Sequence, residues 1–373
     1  MIAPTPRGAP DSASLPRVMM ALSGGVDSAV SLMLLKRQGY EVEALFMKNW
    51  DEDDDDGYCA AAEDLADAER VCEQLGVALH TVNFSHEYWE NVFTRFLDEY
   101  KSGRTPNPDV LCNREVKFQV FVEHARDLGA ERIATGHYAR IAESGDERRL
   151  LTGTDSNKDQ SYFLHMLTQA QLQPALFPIG DLQKSEVRRM AREAGLETHD
   201  KKDSTGICFI GEQPFQQFLA RFLAPRPGEI ETVDGLTIGA HEGLMYYTIG
   251  QRQGLGIGGR VGGSGEPWYV VEKDLPRDTL IVAQGREHPA LYGRQLLASE
   301  LHWIRPPGPA LPLRCKAKVR YRQSGQDCEV LAQDGGCRVR FDVPQWAAAP
   351  GQSVVFYAGD ECLGGAIIDS VLR

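Results

Sequence analysis

Residues 21–28 read Ala-Leu-Ser-Gly-Gly-Val-Asp-Ser. Ala21 and Leu22 end a short apolar run, Arg17–Leu22, of strand length. Ser23 and Ser28 contribute hydroxyls, Gly24 and Gly25 remove two β-carbons, and Val26 and Asp27 lead toward a helical pattern at Ala29–Gln38 closed by Gly39. A glycine-rich turn at a helix N-terminus offers backbone N–H groups to an anion, and phosphate is the natural one. A Walker A loop would put a lysine on the terminal phosphates, yet no lysine lies between Arg17 and Lys36. The run therefore points to a seat for pyrophosphate and to α–β cleavage of ATP with transfer of AMP. The same residues would also serve as an ordinary strand-to-helix turn.

Two further stretches carry chemistry. In Gly103–Lys117, GRTPNPDVLCNREVK, Pro106 and Pro108 stiffen a loop and leave Asn107 and Asp109 to project before Cys112. The helical pattern is read from about Arg114, so Cys112 is expected at a helix N-terminus near Arg114 and Lys117, where a thiol pKa is lowered. In Lys202–Gly211, KDSTGICFIG, Cys208 lies between Gly206 and the apolar Phe209-Ile210. Buried packing is the commoner fate of a cysteine, and the polar, glycine-flanked settings shift both toward function.

The elements that must position these residues alternate strand and helix over the first two hundred positions. After the loop come a strand at Glu41–Lys48, helices at Ala60–Leu75 and Glu87–Tyr100, with a strand at Ala78–Phe84 between them, the helix Arg114–Leu128 and a strand at Arg132–Thr135. That alternation predicts an α/β fold, a parallel sheet with ligands at the carboxyl ends of its strands. After about Gly211 the texture changes: a helix at Phe215–Leu223, a Pro-Arg-Pro-Gly turn, then glycines crowded into Gly250–Gly265. From about Gly285 the pattern is all strand, at Arg314–Arg322, Cys328–Ala332, Cys337–Val343, Ser353–Tyr357 and Cys362–Ile368, and predicts a small β-barrel. The division read from the sequence is a leader at 1–16 with four prolines, a nucleotide domain at 17–211, a small mixed central domain at 212–284 and a C-terminal barrel at 285–373.

Length and charge bound the reading. At 373 residues with 42% hydrophobic content, the chain can build two or three cores. No apolar run approaches the roughly 18 residues of a membrane span, and no export signal is visible, so a cytoplasmic protein with reduced cysteines is expected. The eight cysteines, Cys59, Cys72, Cys112, Cys208, Cys315, Cys328, Cys337 and Cys362, form no Cys-x-x-Cys pair. The net charge of −13 argues against a uniformly basic coat, with Asp51–Asp56 (DEDDDD) reading as a solvated acidic loop. Arg305–Arg340, however, carries eight Lys or Arg against three acids, compatible with one polyanion-binding face or with a solvated arginine-rich β surface.

SGGVDS after a strand, then FMKNW (Phe46–Trp50), GRTPNPDVLCN (Gly103–Asn113), ATGHYAR (Ala134–Arg140), SNKDQSYFL (Ser156–Leu164), KDSTGICFIG (Lys202–Gly211), IGQRQGLGIGG (Ile249–Gly259), PWYVV (Pro267–Val271) and RYRQ (Arg320–Gln323) resemble, in this order, the bacterial tRNA-specific 2-thiouridylases. The resemblance covers almost all the chain after Arg17. Only the leader and the loop Glu143–Arg149 look idiosyncratic.

The resemblance implies conversion of uridine-34 of the tRNAs for Lys, Glu and Gln to 2-thiouridine. ATP would adenylate the C2 oxygen, with Mg²⁺ near Asp27 neutralising charge on the phosphates. Cys208 would carry a persulfide delivered by an upstream sulfur-relay protein, Cys112 would resolve it, and Asp109 would be the general acid or base. Residues Ala21–Ser28, Met47 and Gly136 would hold the nucleotide, the glycine because a β-carbon there would crowd the ligand. Asn107, Pro108 and Asp109 would meet the flipped target base. His137, Lys158, Asp159, Gln160, Arg320, Tyr321 and Gln352 would contact tRNA, although His137 read by itself is a histidine satisfied within the fold. The enzyme is expected to be a monomer. Another ATP pyrophosphatase would share SGGVDS with no need of Cys112 and Cys208, and a sulfur carrier or RNA-binding protein without turnover would not need Ser23–Ser28.

Overall fold

The computed structural model describes residues 15–50, 60–202, 214–257 and 265–372. Cys59, Cys208 and the acidic run Asp51–Asp56 lie outside them.

The N-terminal part is a five-stranded parallel sheet in the order β3-β2-β1-β4-β7, built from β1 (Val18–Ala21), β2 (Val42–Lys48), β3 (Leu79–Asn83), β4 (Arg132–Ala134) and the short β7 (Ala175–Leu176). Helices cover both faces, so a central strand reads as an unbroken apolar run. In β1, Val18 and Met20 enter one layer with helices α1 (Val26–Arg37) and α2 (Ala60–Leu75), while Met19 and Ala21 enter the other with Phe93, Phe118 and Phe121. Strand order reverses beside β1, with β2 on one side and β4 on the other. A crevice opens at the carboxyl ends of such a pair.

Two helix starts differ from the sequence reading, and both matter. Helix α1 begins at Val26 rather than Ala29, because Gly25 takes the extended N-cap conformation (φ −94°, ψ 163°) and hands the chain straight into helix. Asp27 and Ser28 therefore sit in its first turn. The second helical run begins at Pro108, six residues before Arg114: Asn107 caps it by accepting the Asp109 N–H at 3.2 Å, and proline suits the first turn, where no N–H is needed. Cys112 is thus a full turn inside a helix that continues as a π-helix over Cys112–Val120, rather than at its N-terminus.

The loop Glu143–Arg149 stands outside the family resemblance. It is the tip of a hairpin, β5 (Ala139–Ser144) with β6 (Glu147–Thr152), turning on Gly145 at φ 63°. The central part is a four-stranded sheet, order β10-β11-β8-β9, of β8 (Gly228–Thr232), β9 (Thr237–His241), β10 (Trp268–Asp274) and β11 (Thr279–Gln284). The C-terminal part is a closed six-stranded barrel: β12 (Tyr292–Trp303), β13 (Leu313–Lys318), β14 (Gln326–Gln333), β15 (Gly336–Trp346), β16 (Ser353–Ala358) and β17 (Glu361–Leu372), sealed by β12 pairing with β17. Alternate residues such as Val330, Val339 and Phe341 fill its interior. The hairpin joins the barrel through β6, with Leu151 opposite Glu361 and Leu150 opposite Cys362, so nucleotide domain and barrel share one sheet.

Candidate functional site

The loop Ser23–Ser28 follows β1 and packs against the residues that follow β4. Gly24 is left-handed at φ +72°, and a β-carbon there would stand 2.3 Å from the Asp64 carbonyl oxygen of α2, so the residue is sterically required. The hydroxyls of Ser23 and Ser28 lie 3.2 Å apart, Ser28 Oγ donates to the Gly25 carbonyl at 3.0 Å, and no side chain caps α1. Val26 is buried beneath the loop, and Met47, at the end of β2, packs half-buried on the adjoining core. Gly136 follows β4. A β-carbon on it would lie 2.9 Å from Ser28 N and 3.0 Å from Asp27 C, so this glycine is needed for the contact of two backbones, where the sequence reading assigned it to clearance for the ligand.

A lysine reaches the loop after all, from far along the chain. Lys184, first residue of the helix Lys184–Glu193, places Nζ 2.8 Å from both carboxylate oxygens of Asp27, and the Tyr138 hydroxyl donates to Asp27 Oδ1 at 2.7 Å. Sequence reasoning missed Lys184 and Tyr138, which 157 and 111 positions separate from Asp27; Tyr138 lies within ATGHYAR, but no role is read for it there, and no motif marks Lys184. In this form both carboxylate oxygens of Asp27, the expected Mg²⁺ seat, contact the Lys184 ammonium.

The helix at Pro108 carries Asp109 and Cys112 one turn apart. Burial pushes the Asp109 carboxyl above the usual carboxylate range, opposed in part by the Lys117 charge. Cys112 is buried, at 3% exposure. Arg114, expected beside this thiol, instead bonds Glu115 through Nε at 2.6 Å. Asn107, Val110 and Leu111 of this helical run line a shallow cleft against Glu300 and Ser353 of the barrel.

His137 is buried, with Nδ1 2.7 Å from Thr135 Oγ1 and its ring packed on Phe118 and Phe177. Burial and the charge of Lys117 hold it neutral, far below its usual pKa. That is the fold-satisfied histidine, and it offers no open surface to RNA in this form. The other expected tRNA contacts mostly fasten one part of the chain to another. Asp159, 4% exposed, accepts from the Gly153 and Ser161 amides and pairs with Lys318 of the barrel at 3.1 Å. Gln160 Oε1 accepts the Tyr138 N–H at 2.9 Å. Gln352 Nε2 donates to the Thr105 carbonyl at 2.7 Å, holding the loop that precedes Asn107. Arg320 Nη2 donates to the carbonyls of Ala347 and Ile249, with its guanidinium 4.8 Å over the Trp346 ring. Tyr321 packs against Phe163, ring centroids 4.5 Å apart, and donates to the Lys158 carbonyl at 3.3 Å. Lys158, Gln160, Arg320, Tyr321 and Gln352 are all half-buried, and Lys158 lies beside the exposed Ser156 and Asn157.

Three family models match in succession: the tRNA methyl transferase HUP domain over residues 16–212, the tRNA methyl transferase PRC-barrel domain over 216–284, and the aminomethyltransferase beta-barrel domain over 293–368. The chain is 60% identical over 359 residues to a tRNA-specific 2-thiouridylase, MnmA, of Pseudoalteromonas translucida (strain TAC 125), covering 96% of this chain and 98% of that one. It is 59% identical over 357 residues to the MnmA of Methylococcus capsulatus, covering 95% and 96%. To that of Pseudomonas aeruginosa (strain LESB58) it is 57% identical over 368 residues, covering 99% and 96%.

Proposed function

This chain belongs to the tRNA-specific 2-thiouridylase family, and from that premise we propose that it thiolates C2 of the wobble uridine in the tRNAs for Lys, Glu and Gln by adenylation followed by persulfide sulfur transfer. The observation that carries the adenylation half is the Lys184 ammonium on Asp27, at the mouth of the Ser23–Ser28 loop. A Walker lysine is absent from the loop, yet a cation stands beside it, and the α1 amides and two hydroxyls suit a leaving pyrophosphate. The C2 oxygen displaces pyrophosphate from the α-phosphorus and becomes an adenylate. AMP then leaves as sulfur attacks C2.

Asp109 suits the proton transfers of this reaction, because its burial keeps a protonated fraction at higher pH than an exposed carboxyl would. Cys208 carries the persulfide, loaded by an upstream sulfur-relay protein. Cys112 attacks the inner sulfur, so the terminal sulfur leaves with the base and a Cys112–Cys208 disulfide remains for reduction by thiol. The enzyme works as a monomer on cytoplasmic tRNA, and no helix among the described residues is long and apolar enough to cross a membrane.

The test is mercury-affinity electrophoresis of tRNA from a strain lacking its own thiolase, with and without this chain. Retarded tRNA for Lys, Glu and Gln, with one AMP formed per sulfur incorporated, is expected. Unretarded tRNA, or thiolation without AMP, would overturn the reading.

A further inference from the structure

Two lines of contact run from one surface turn to the two oxygens of Asp27. Asp155 is buried, at 6% exposure; its Oδ2 accepts the Lys184 N–H at 2.9 Å, and its Oδ1 accepts the Asn157 N–H at 3.0 Å. The same carboxylate that shapes the turn thus pins the first amide of the helix whose first side chain holds Asp27. The second line starts at Gln160, which exchanges hydrogen bonds with the Tyr138 backbone, N–H to carbonyl at 2.8 Å and Oε1 from N–H at 2.9 Å. The Tyr138 hydroxyl then donates to Asp27 at 2.7 Å.

Neither line has slack. Added β-carbons at Gly153 and Gly180 would lie 2.6 Å from the Tyr138 carbonyl oxygen and 1.8 Å from that of Ala139, so backbones pack directly on backbones between turn and loop. At the outer end Ser156 and Asn157 are exposed and Lys158 half-exposed. Interiors packed this closely switch between discrete arrangements rather than deform smoothly.

We propose that the turn 155–160 is a positioning element that makes the ATP site answer to tRNA, with Asp155 and Gln160 acting through Lys184 and Tyr138. In the form seen here Lys184 is spent on Asp27. RNA phosphate drawn to Lys158 shifts the turn, the Lys184 helix shifts with it, and the ammonium exchanges Asp27 for the phosphates of ATP. Adenylate is then formed only when a uridine is present to receive it. This inference rests on the proposed function, in that ATP occupies the loop and tRNA touches the turn.

Coupling of this kind is reciprocal: tRNA tightens ATP by the same factor as ATP tightens tRNA. The experiment measures both factors on the full chain, using a non-hydrolysable α,β-methylene ATP and an unmodified tRNA transcript. A factor on the order of 10 is expected for the native chain. Asp155→Asn is expected to bring it near 1 with each separate affinity held within about twofold, and to change nothing further in a Lys184→Met background. Equal, unshifted affinities in the native chain, or a factor untouched by Asp155→Asn, overturn the relay while leaving the proposed function intact. Failure of either ligand to bind by itself overturns both. If Asp155→Asn does not fold, Tyr138→Phe cuts the second line by a single hydroxyl, and a factor unchanged there overturns the relay equally.

Discussion

The nucleotide loop and the barrel face at Arg320 use polar residues in opposite ways. In the loop, the hydroxyls of Ser23 and Ser28 bond within five residues of one another, and the amides of α1 have no side-chain cap. On the barrel side, Arg320 and Tyr321 spend hydrogen bonds on carbonyls 71 and 163 positions away, and Gln352 on one 247 positions away. One region spends its side-chain hydrogen bonds locally, while the other uses them to hold a three-part molecule together. Residue types that would suit an RNA phosphate or base also suit a buried carbonyl, so charge and aromaticity by themselves do not separate the two uses.

The sharpest break of this comparison is chemical. Cys208→Ser is expected to abolish sulfur incorporation, by several orders of magnitude, and to leave tRNA-dependent pyrophosphate release in place, because the proposed function assigns adenylation to the Ser23–Ser28 loop and sulfur transfer to Cys208. Sulfur content of the tRNA and pyrophosphate are measured in the same reaction. Loss of both together would mean that the two halves of the chemistry are not divided between the Ser23–Ser28 loop and Cys208.

Next in size is the ion pair that docks the barrel. Lys318 Nζ lies 3.1 Å from Asp159 Oδ2 and 4.8 Å above the Tyr357 ring, with the two charged side chains only 15% and 4% exposed. Breaking a buried pair by removing one partner strands the other charge, at a cost of about 3–5 kcal/mol. Lys318→Met should therefore lower Tm strongly, and adding Asp159→Asn should return part of the loss. If Lys318→Met melts with the native protein, the barrel is not held by this pair.

What the sequence made legible follows the same division. The strand, the paired glycines and the hydroxyls of residues 18–28 stand next to one another in the chain and are legible as a loop, although the helix start at Val26 and the Asp64 carbonyl that demands Gly24 are not. The start at Pro108 does not show in the sequence because the capping amide of Asn107 sits in a proline-rich stretch that reads as loop, and β12 does not because its three register shifts blur the alternation that marks a strand. Lys184 could not be read at all. Its role exists only after the Asp155 carboxylate fixes the start of its helix, a contact 29 positions away. The tRNA set came from resemblance, which supplies positions and not contacts.

Acid should also weigh on the docked side more than on the loop. His165, fully buried beside the barrel, is held neutral with its pKa brought down from 6.5 to about 4, chiefly by burial. Between those values the unfolded chain binds the proton and the folded chain does not, so stability is full above about pH 6.5 and is lost as pH falls toward 4. The shift corresponds to about 3 kcal/mol at most. The NMR titration of this ring, followed together with Tm across that window, checks it, and a ring midpoint near 6.5 would refute the neutral burial.

The smallest effect is the most discriminating. Tyr321 can serve as a strut through its hydroxyl or as a stacking platform through its ring, and Tyr321→Phe removes only the first. The lost bond to the Lys158 carbonyl is neutral and long, at 3.3 Å, so a cost of about 0.5–1.5 kcal/mol in stability is expected. The ring, packed 4.5 Å from Phe163, keeps its place. If Tyr321 faces tRNA by stacking, Tyr321→Phe binds tRNA as the native chain does and Tyr321→Ala weakens it by about 1–3 kcal/mol. If it is a strut only, both variants lose stability in proportion and tRNA affinity at a temperature well below Tm stays put. Filter binding across a salt series, paired with calorimetry, separates the outcomes. Unchanged stability in Tyr321→Phe together with weakened tRNA binding would reverse the comparison, making the hydroxyl a contact for the RNA and the bond to Lys158 its resting position.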